Sequence, residues 1–375
     1  MKLTITQAQL AYGLGVVSRA VSPRSTLPVL NNILLATDEG RLRLSATNLE
    51  LGITCWINAD IEEEGSVTIP ARIFSDLVNT LPDTKVSLSL TTRTQTLNIH
   101  CGTSNFDIKG IDAQEFPPMP LPNLSSGVEL NVSDFKDMIH QVSFAASSDE
   151  ARPVLQGVLM EINDNEISLA ATDGFRISVR AAKLSSPQTN PVKVIIPARS
   201  LSELARIATD GKETISMIVP PDRGQAIFHM KNAELVTQLI EGNFPEYRAI
   251  IPRSFKTRTV ISTQEFLKAC RQAEIIAREG NYVIRLNLQP QENAPGAVEF
   301  STQSEEMGSG EVVVDANIEG PELVIAFNVS FLSEVLEVIG TPNTILETNA
   351  NNTPGLLSPV GNDSFRHVIM PMHID

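Results

Sequence analysis

VTIPARIFSDLVNTLP at 67–82 returns as VIIPARSLSELARIATD at 194–210, and the interval of 127 residues from Pro70 to Pro197 decides how the whole chain is read. Two other pairs keep nearly the same spacing: LPVLNNILL at 27–35 with RPVLQGVLM at 152–160, and EFPPMP at 115–120 with NFPEYRAIIP at 243–252. Their offsets are 125 from Pro28 to Pro153 and 128 from Pro117 to Pro245. A fainter third copy follows in the same order, as YVIRLNL at 282–288 and VIAFNVSFLSEVLEVIG at 324–340. A repeat of this period turns 375 residues into three tandem modules, each long enough to bury a core of its own.

The first module opens with a strand; each module carries a helical stretch near its start and a second helix about sixty-five residues on, with short strands between and after them. In the first module the pattern predicts strands at 2–5, 29–37, 41–46 and 51–59, a helix over 6–22, a second helix after Pro70 with the apolar stripe Ile73, Phe74, Leu77, Val78 and Leu81, and strands at 85–91, 95–101 and 104–109. In the second it predicts helices at 133–147 and 198–209 with strands at 154–162, 166–171, 175–182, 214–219, 224–230 and 233–238. In the third, helices fall at 263–278 and 329–339 and strands at 282–289, 296–303, 310–316, 344–348 and 364–370. DANIEG at 315–320 and NANNTPGLLSP at 349–359 read as loops by their Asn, Gly and Pro content. The fold class is therefore α+β: three tandem domains, each with two helices packed on antiparallel sheet, over 1–122, 128–252 and 253–375.

Composition narrows the function. Twenty-nine Lys and Arg against 44 Asp and Glu give a net charge of −15, which argues against an ordinary adhesive nucleic-acid binder but allows one positive face on an otherwise repelling surface. The three cysteines lack ligand spacing and suit a reducing compartment, and no apolar run approaches the ~18 residues of a membrane span. MKLTITQAQ has neither a basic nor an apolar leader region, so a soluble cytoplasmic protein is expected.

Phosphate-loop, dinucleotide-loop and HExxH motifs are all missing, and the five histidines at 100, 140, 229, 367 and 373 are scattered. No catalytic, cofactor or metal site is expected. Asp173 in ATDGFR could suggest a metal carboxylate, but the matching ATN at 46–48 puts Asn48 in its place, and a turn cap is the better reading.

Modules with open sheet edges can pair end to end, and an arc of three can close with a second copy into a six-module ring with twelve helices on a common face. The helical windows 6–22, 70–82, 133–148, 197–209, 263–279 and 328–340 carry eight Lys and Arg and nine Asp and Glu, a net −1, while the remaining residues carry −14. Arg19, Arg72, Lys136, Arg199, Arg206, Lys268, Arg271 and Arg278, with Arg24 beyond the first helix, could together hold a duplex by its backbone without reading bases. Two other readings stay open on the residues alone: a triplicated scaffold with a spatially assembled active site, and a protein-binding scaffold that never touches nucleic acid.

The ordered set TLPVLNNILL, ATNLELG, TIPARIF, FPPMP, ATDGFR, IPARS, GNFPEYRAIIP, FNVSFLSEVL and HVIMPM resembles the bacterial DNA polymerase III beta subunit, the family of replicative sliding clamps, along the whole chain. The resemblance implies a non-catalytic processivity subunit: half of a six-domain ring, closed as a head-to-tail homodimer, encircling double-stranded DNA topologically and without sequence preference. It also implies partners: the replicative polymerase alpha subunit, the clamp-loader complex, and other polymerases, ligase and mismatch-repair proteins that bind through short linear motifs. No cofactor and no membrane is implied.

The resemblance further implies a peptide pocket, which carries over to Leu155, to Thr172, Gly174, Phe175 and Arg176, to Pro245, Arg248, Ala249 and Ile250, to Asn328 and Phe331, and to Val368, Ile369, Met370, Pro371 and Met372. Apolar Leu155, Ile369 and Met372 can receive an anchor side chain, and methionines suit a pocket with several ligands. Pro371 predicts an exposed edge strand with backbone groups free for a peptide. Phe175, Ala249, Phe331, His373 and Ile374 depart from residues common in the family and lose polar groups, which points to shifted peptide preference. For DNA, the resemblance singles out Arg24, Arg152 and Arg199.

Overall fold

The computed structural model describes residues 1–22, 25–120, 127–209, 211–221, 223–279, 281–292 and 294–373. The first repeat runs β1 (Lys2–Thr6), α1 (Gln7–Val17), β2 (Asn32–Asp38), β3 (Arg41–Thr47), β4 (Leu51–Asn58), β5 (Asp60–Glu63), β6 (Ser66–Pro70), α2 (Ala71–Thr80), β7 (Lys85–Thr91), β8 (Thr96–Cys101) and β9 (Ser104–Lys109). The second runs β10 (Val128–Asn131), α3 (Val132–Val142), β11 (Gly157–Thr172), β12 (Arg176–Pro197), α4 (Ala198–Ile207), β13 (Thr214–Ile218), β14 (Gln225–His229) and β15 (Ala233–Gln238). The third runs β16 (Thr257–Ser262), α5 (Thr263–Ala277), β17 (Val283–Gln289), β18 (Gly296–Ser304), β19 (Gly308–Glu319), β20 (Leu323–Asn328), α6 (Val329–Val338), β21 (Asn343–Thr348), β22 (Gly355–Pro359) and β23 (Phe365–Ile369).

Every helix begins where a strand ends. At α1, α5 and α6 the switch is made by a cap residue whose side chain takes up an orphan N–H: Thr6 accepts from Gln9, Ser262 from Glu265, and Asn328 from Ser330 and Phe331, whereas Pro70 starts α2 without a side-chain cap. No helix among the described residues is long and apolar enough to cross a membrane.

The chain divides into two compact units, Met1–Ser133 with Glu203–Leu239, and Asp134–Ser202 with Ile240–Asp375. The first unit holds two antiparallel sheets, in the orders β5-β1-β7-β8-β9 and β10-β13-β14-β15-β4-β3-β2-β6. Its helices α1 and α2 lie together, and α1 approaches the second sheet closely: a Cβ added at Gly13 would stand 2.8 Å from Leu44 Cδ1. The second unit holds one sheet, β11-β12-β23-β22-β21-β16-β19-β18-β17-β20, with α5 and α6 packed together over a core that includes Phe266, Phe300, Phe327 and Phe365.

Several expectations change. The first helix ends at Val17 and tightens into a 3-10 turn, Ser18–Ala20. Ile73, assigned to the apolar stripe of α2, is 59% exposed, whereas Phe74 and Val78 are buried. The strands expected at 154–162 and 166–171 form one element, β11, irregular about Asp164 with its φ of +52°. DANIE at 315–319 belongs to β19, and the segment 349–359 contains β22, whose Leu356 and Leu357 face opposite cores. The segment before Pro371 is not an edge. β23 pairs with β12 on one side and β22 on the other, and the N–H groups of Met370 and Met372 already donate to Phe175 O and Ala326 O, at 2.9 and 2.8 Å. Pro371 follows the last ladder residue, so its missing N–H costs the sheet nothing.

The β12–β23 ladder contains a buried polar pair with one titratable member. Ser178 and His367 face each other across it with Oγ and Nδ1 2.6 Å apart, and the imidazole stacks on Phe144 at 5.4 Å. Burial, reinforced by the Arg176 charge, holds the His367 pKa well below its usual 6.5. The unfolded chain thus binds a proton below pH 6.5 that the folded chain refuses, so stability falls as the pH drops below that value, by up to about 1.4 kcal/mol per pH unit. Urea titrations at pH 7.0 and 5.5 should show that His367→Gln loses less stability on acidification than the parent; equal losses would clear His367 of this role.

Candidate peptide-docking site

Arg176, one of the residues assigned to the pocket, has only 7% of its surface exposed. Its Nε donates to Asp173 Oδ2 at 3.0 Å, Nη1 to Glu334 Oε2 at 2.6 Å and Nη2 to the Phe144 carbonyl at 3.1 Å. The guanidinium also lies over the rings of Phe331 and Phe144, at 4.2 and 5.3 Å. A buried arginine is tolerable only when its donors are filled in this way, and two carboxylates, a carbonyl and two ring faces leave it no room to turn. It ties the turn after β11 to α6.

That turn is set by its own side chains. Thr172 Oγ1 donates to Arg176 O at 2.7 Å and accepts from Gly174 N at 3.0 Å, while Asp173 Oδ1 accepts from the N–H groups of Phe175 and Arg176 at 2.9 and 3.1 Å. The first repeat has the same construction. Thr47 bonds Leu51 O and Leu49 N, both at 3.0 Å, and Asn48 Oδ1 accepts from Glu50 and Leu51 at 3.0 and 2.7 Å. The turn-cap assignment of Asp173 thus has direct geometric support. Among the described residues, no cluster of three or more His, Cys, Asp or Glu could hold a metal ion.

The other residues assigned to the pocket divide into buried and exposed ones. Val368 and Ile369 are buried, Val368 in the core with Ile177 and Tyr247 and Ile369 in the core with Phe327. Phe175, Ile250 and Met370 are exposed apolar side chains at 61%, 43% and 41%. Leu155, Asn328, Phe331, Pro371 and Met372 are half-buried, and Pro245, Ala249 and His373 are exposed. Leu155 is held on a short 3-10 turn, Pro153–Gln156, whose preceding Arg152 donates to Asp173 O at 3.1 Å. Ile374 lies outside the described residues.

Arg248 is bonded elsewhere, to Glu161, which also meets Lys193 at 3.2 Å. Burial works to raise the Glu161 carboxyl, but these two cations outweigh it and hold its pKa below the usual carboxylate range. Glu161, Glu334 and Phe144 went unseen in the sequence as parts of this site. Glu161 is 87 residues from Arg248 and Glu334 is 158 from Arg176, and no local pattern links such pairs.

The basic residues assigned to DNA are unevenly committed. Arg19 and Arg206 both pair with Glu203, at 3.0 and 2.8 Å, and Arg271 pairs with Glu337 at 2.8 Å. Arg152 pairs with Asp149 at 2.8 Å and Arg72 with Asp76 at 3.8 Å, while Arg278 reaches Glu274 only at 4.0 Å. Lys136 is half-buried. Arg199 and Lys268 are exposed and make no ion pair among the described residues. Arg24 lies outside the described residues.

A tandem-repeat α+β scaffold whose sheets run across the repeat boundaries is the class that the fold defines. Residues 1–120, 129–246 and 248–373 match, in order, the N-terminal, central and C-terminal domains of the DNA polymerase III beta subunit. The chain is 33% identical over 378 residues to the beta sliding clamp of Synechococcus elongatus, covering 100% of both. Its fold superposes on the DNA polymerase sliding clamp from Bacillus subtilis with a TM-score of 0.93 at 29% identity, and on a Pseudomonas aeruginosa sliding clamp bound to griselimycin with a TM-score of 0.92 at 28% identity, with full coverage of each chain. The chain belongs to the DNA polymerase III beta subunit family. It is a DNA sliding clamp, a processivity factor of DNA replication that encircles DNA and works with polymerase and clamp loader, and it is not itself an enzyme.

The turn cap can be separated from the charge. Asp173→Asn keeps an acceptor for both N–H groups, as Asn48 does in the first repeat, and should cost about 1 kcal/mol in urea unfolding; Asp173→Ala removes the acceptor as well and should cost about 2–4 kcal/mol. Equal losses would mean that the ion pair with Arg176 alone holds the turn.

Proposed function

We propose that two copies of this chain, each contributing domains 1–122, 128–252 and 253–375, join head to tail into a ring around duplex DNA. The supporting observation is a rule of strand pairing inside the chain. β4 of the first repeat pairs with β15, the last strand of the second, and β12 of the second pairs with β23, the last strand of the third. The corresponding strand of the third repeat is β19, which follows its hairpin turn as β4 and β12 follow theirs. Over Gly308–Asp315 it pairs only with β18 among the described residues, and the last strand of the first repeat, β9, is the edge of its sheet. Continuing the rule sets β19 of one copy against β9 of another. Exposed apolar residues stand at both places: Val313 on β19 and Ile275 on α5, and Phe106 on β9 and Ile73 on α2. Burying them together offsets the exposure of two open edges.

The residues around Arg176 form the docking site for partner peptides: an apolar anchor from the polymerase alpha subunit, the clamp loader, other polymerases, ligase or mismatch-repair proteins seats among Leu155, Phe175, Met370 and Met372, with Pro245, Arg248 and Ile250 on the adjoining rim. Carboxylates beside Arg19, Arg206 and Arg271 keep backbone contact weak, which suits a ring that holds DNA by topology and slides. Arg24, Arg72, Lys136, Arg152, Arg199 and Lys268 complete the set that meets phosphates.

Loading on nicked circular DNA tests the ring: the protein should be retained on the circle and lost when the circle is linearised, and equal loss from both would leave ordinary groove binding. Val313→Glu should reduce the solution mass from two chains to one and abolish retention; an unchanged dimer would remove β19 from the junction. Leu155→Ala with Met372→Ala should weaken a Gln-led apolar peptide at least about tenfold while the mass stays that of two chains. Unaltered peptide affinity would overturn the docking assignment.

A further inference from the structure

A second cleft of about 600 Å³ in the same unit adjoins the docking site and shares Arg248 with it. Three more arginines line it, Arg253, Arg258 and Arg366, against only two carboxylates, Glu347 and Asp363. In a chain of net charge −15 that is a local excess of cations. Arg248 and Arg258 have acidic partners, Glu161 and Glu347, the latter at 3.8 Å. Arg253 and Arg366 are exposed and form no ion pair among the described residues. The cleft also has an apolar side. Leu356 belongs to the buried core that contains Val368, Ile251 packs against that core half-buried, and Phe255 stands 46% exposed. Its wall is fixed, since Lys256 N donates to Thr348 O at 3.0 Å and Asn349 Nδ2 to Ser254 O at 2.8 Å.

We propose that this cleft receives an acidic segment flanking the docked partner peptide, with carboxylates against Arg253 and Arg366 and an apolar side chain against Phe255. The inference rests on the docking site proposed above, because Arg248 belongs to both places. A peptide fits better than a nucleic-acid strand. Glu347 and Asp363 within the cleft repel a continuous run of phosphates, whereas a peptide can set its carboxylates over the two free arginines and place neutral residues beside the acids. Burial pushes the Glu347 carboxyl above its ordinary pKa despite Arg258 and Arg366, so this wall is partly withdrawn from water, where a charge contact gains strength.

Fluorescence anisotropy with the full chain tests it, using a Gln-led apolar core peptide alone and the same core with three glutamates appended at either end. One flanked form should bind about three- to tenfold tighter than the core at low salt, and the gain should shrink as salt rises. Arg253→Ala with Arg366→Ala should abolish the gain and leave affinity for the unflanked core unchanged. A gain that survives the double substitution, or no gain from either end, overturns the cleft while the docking site stands. Failure of the core peptide itself to bind overturns the docking site, and the cleft as its extension falls with it. A single-stranded oligonucleotide that displaces the flank, and loses its own binding in the double variant, would make nucleic acid the occupant and overturn the peptide assignment.

Discussion

Backbone pairing between repeats is the constraint on which the rest depends. The β4–β15 and β12–β23 ladders each span five residue pairs, Leu51–Cys55 against Ala233–Thr237 and Arg176–Arg180 against Phe365–Ile369. Each ladder closes an edge that would otherwise expose a row of unpaired N–H and C=O groups. The consequence is two large continuous sheets, of eight and ten strands, that cross repeat boundaries. A repeat of the sequence is therefore not a body of the structure. The compact units divide the second repeat between them, because its β13–β15 continue one sheet and its β11 and β12 begin the other.

The connecting segments fasten both ladders with the same device in different side chains. After β9, Phe116 packs with Val29 and Leu30, and Met119 reaches across to Ile218, Ile227 and Val236. It lies so close to β4 that a Cβ on Gly52 would stand 2.5 Å from its Cε, so glycine there makes room for the plug. At the same offset in the next connection, Tyr247 is the buried residue, packed with Leu159, Ile177 and Val368 and edge-on to Phe244 at 6.2 Å. Where the first junction has the methionine over a glycine, the second has a tyrosine over Ile177. Beyond it, Ile250 is left exposed in the same unit as Phe175 and Met370. A duplicated scaffold has in this way produced an apolar surface at one junction.

What the sequence made legible was local and periodic. Helix starts, the Asp173 cap and most strand positions follow from period, capping and turn chemistry, all of which act over a few residues. β22 stayed hidden because NANNTPG precedes it and masks a short strand whose two leucines serve two different cores. Ile73 differs for another reason: an apolar residue on a helix reads as core even when its side chain is exposed. No edge forms at 364–370, because β23 has a neighbour on either side, β12 from the second repeat and β22 from its own, and Pro371 alone reveals neither. The bonds that lock the site, Arg176 to Glu334 and Arg248 to Glu161, join residues that only the folded sheet brings together.

The two matching turns show what the site requires of the backbone. Gly174 has φ +97°, a conformation that costs glycine little, and next to it Phe175 presents its exposed ring and gives its carbonyl to Met370. The residue at that place in the first repeat is Leu49, held at φ +78° by the same Thr and Asx bonds. A side chain in that region costs about 1–2 kcal/mol. The first turn keeps the shape at that cost, so the hydrogen bonds, not the glycine, dictate the conformation. Glycine at 174 relieves the strain where Arg176 and the strand pairing with β23 demand the same turn, and it leaves the neighbouring position free to carry a large apolar side chain toward solvent.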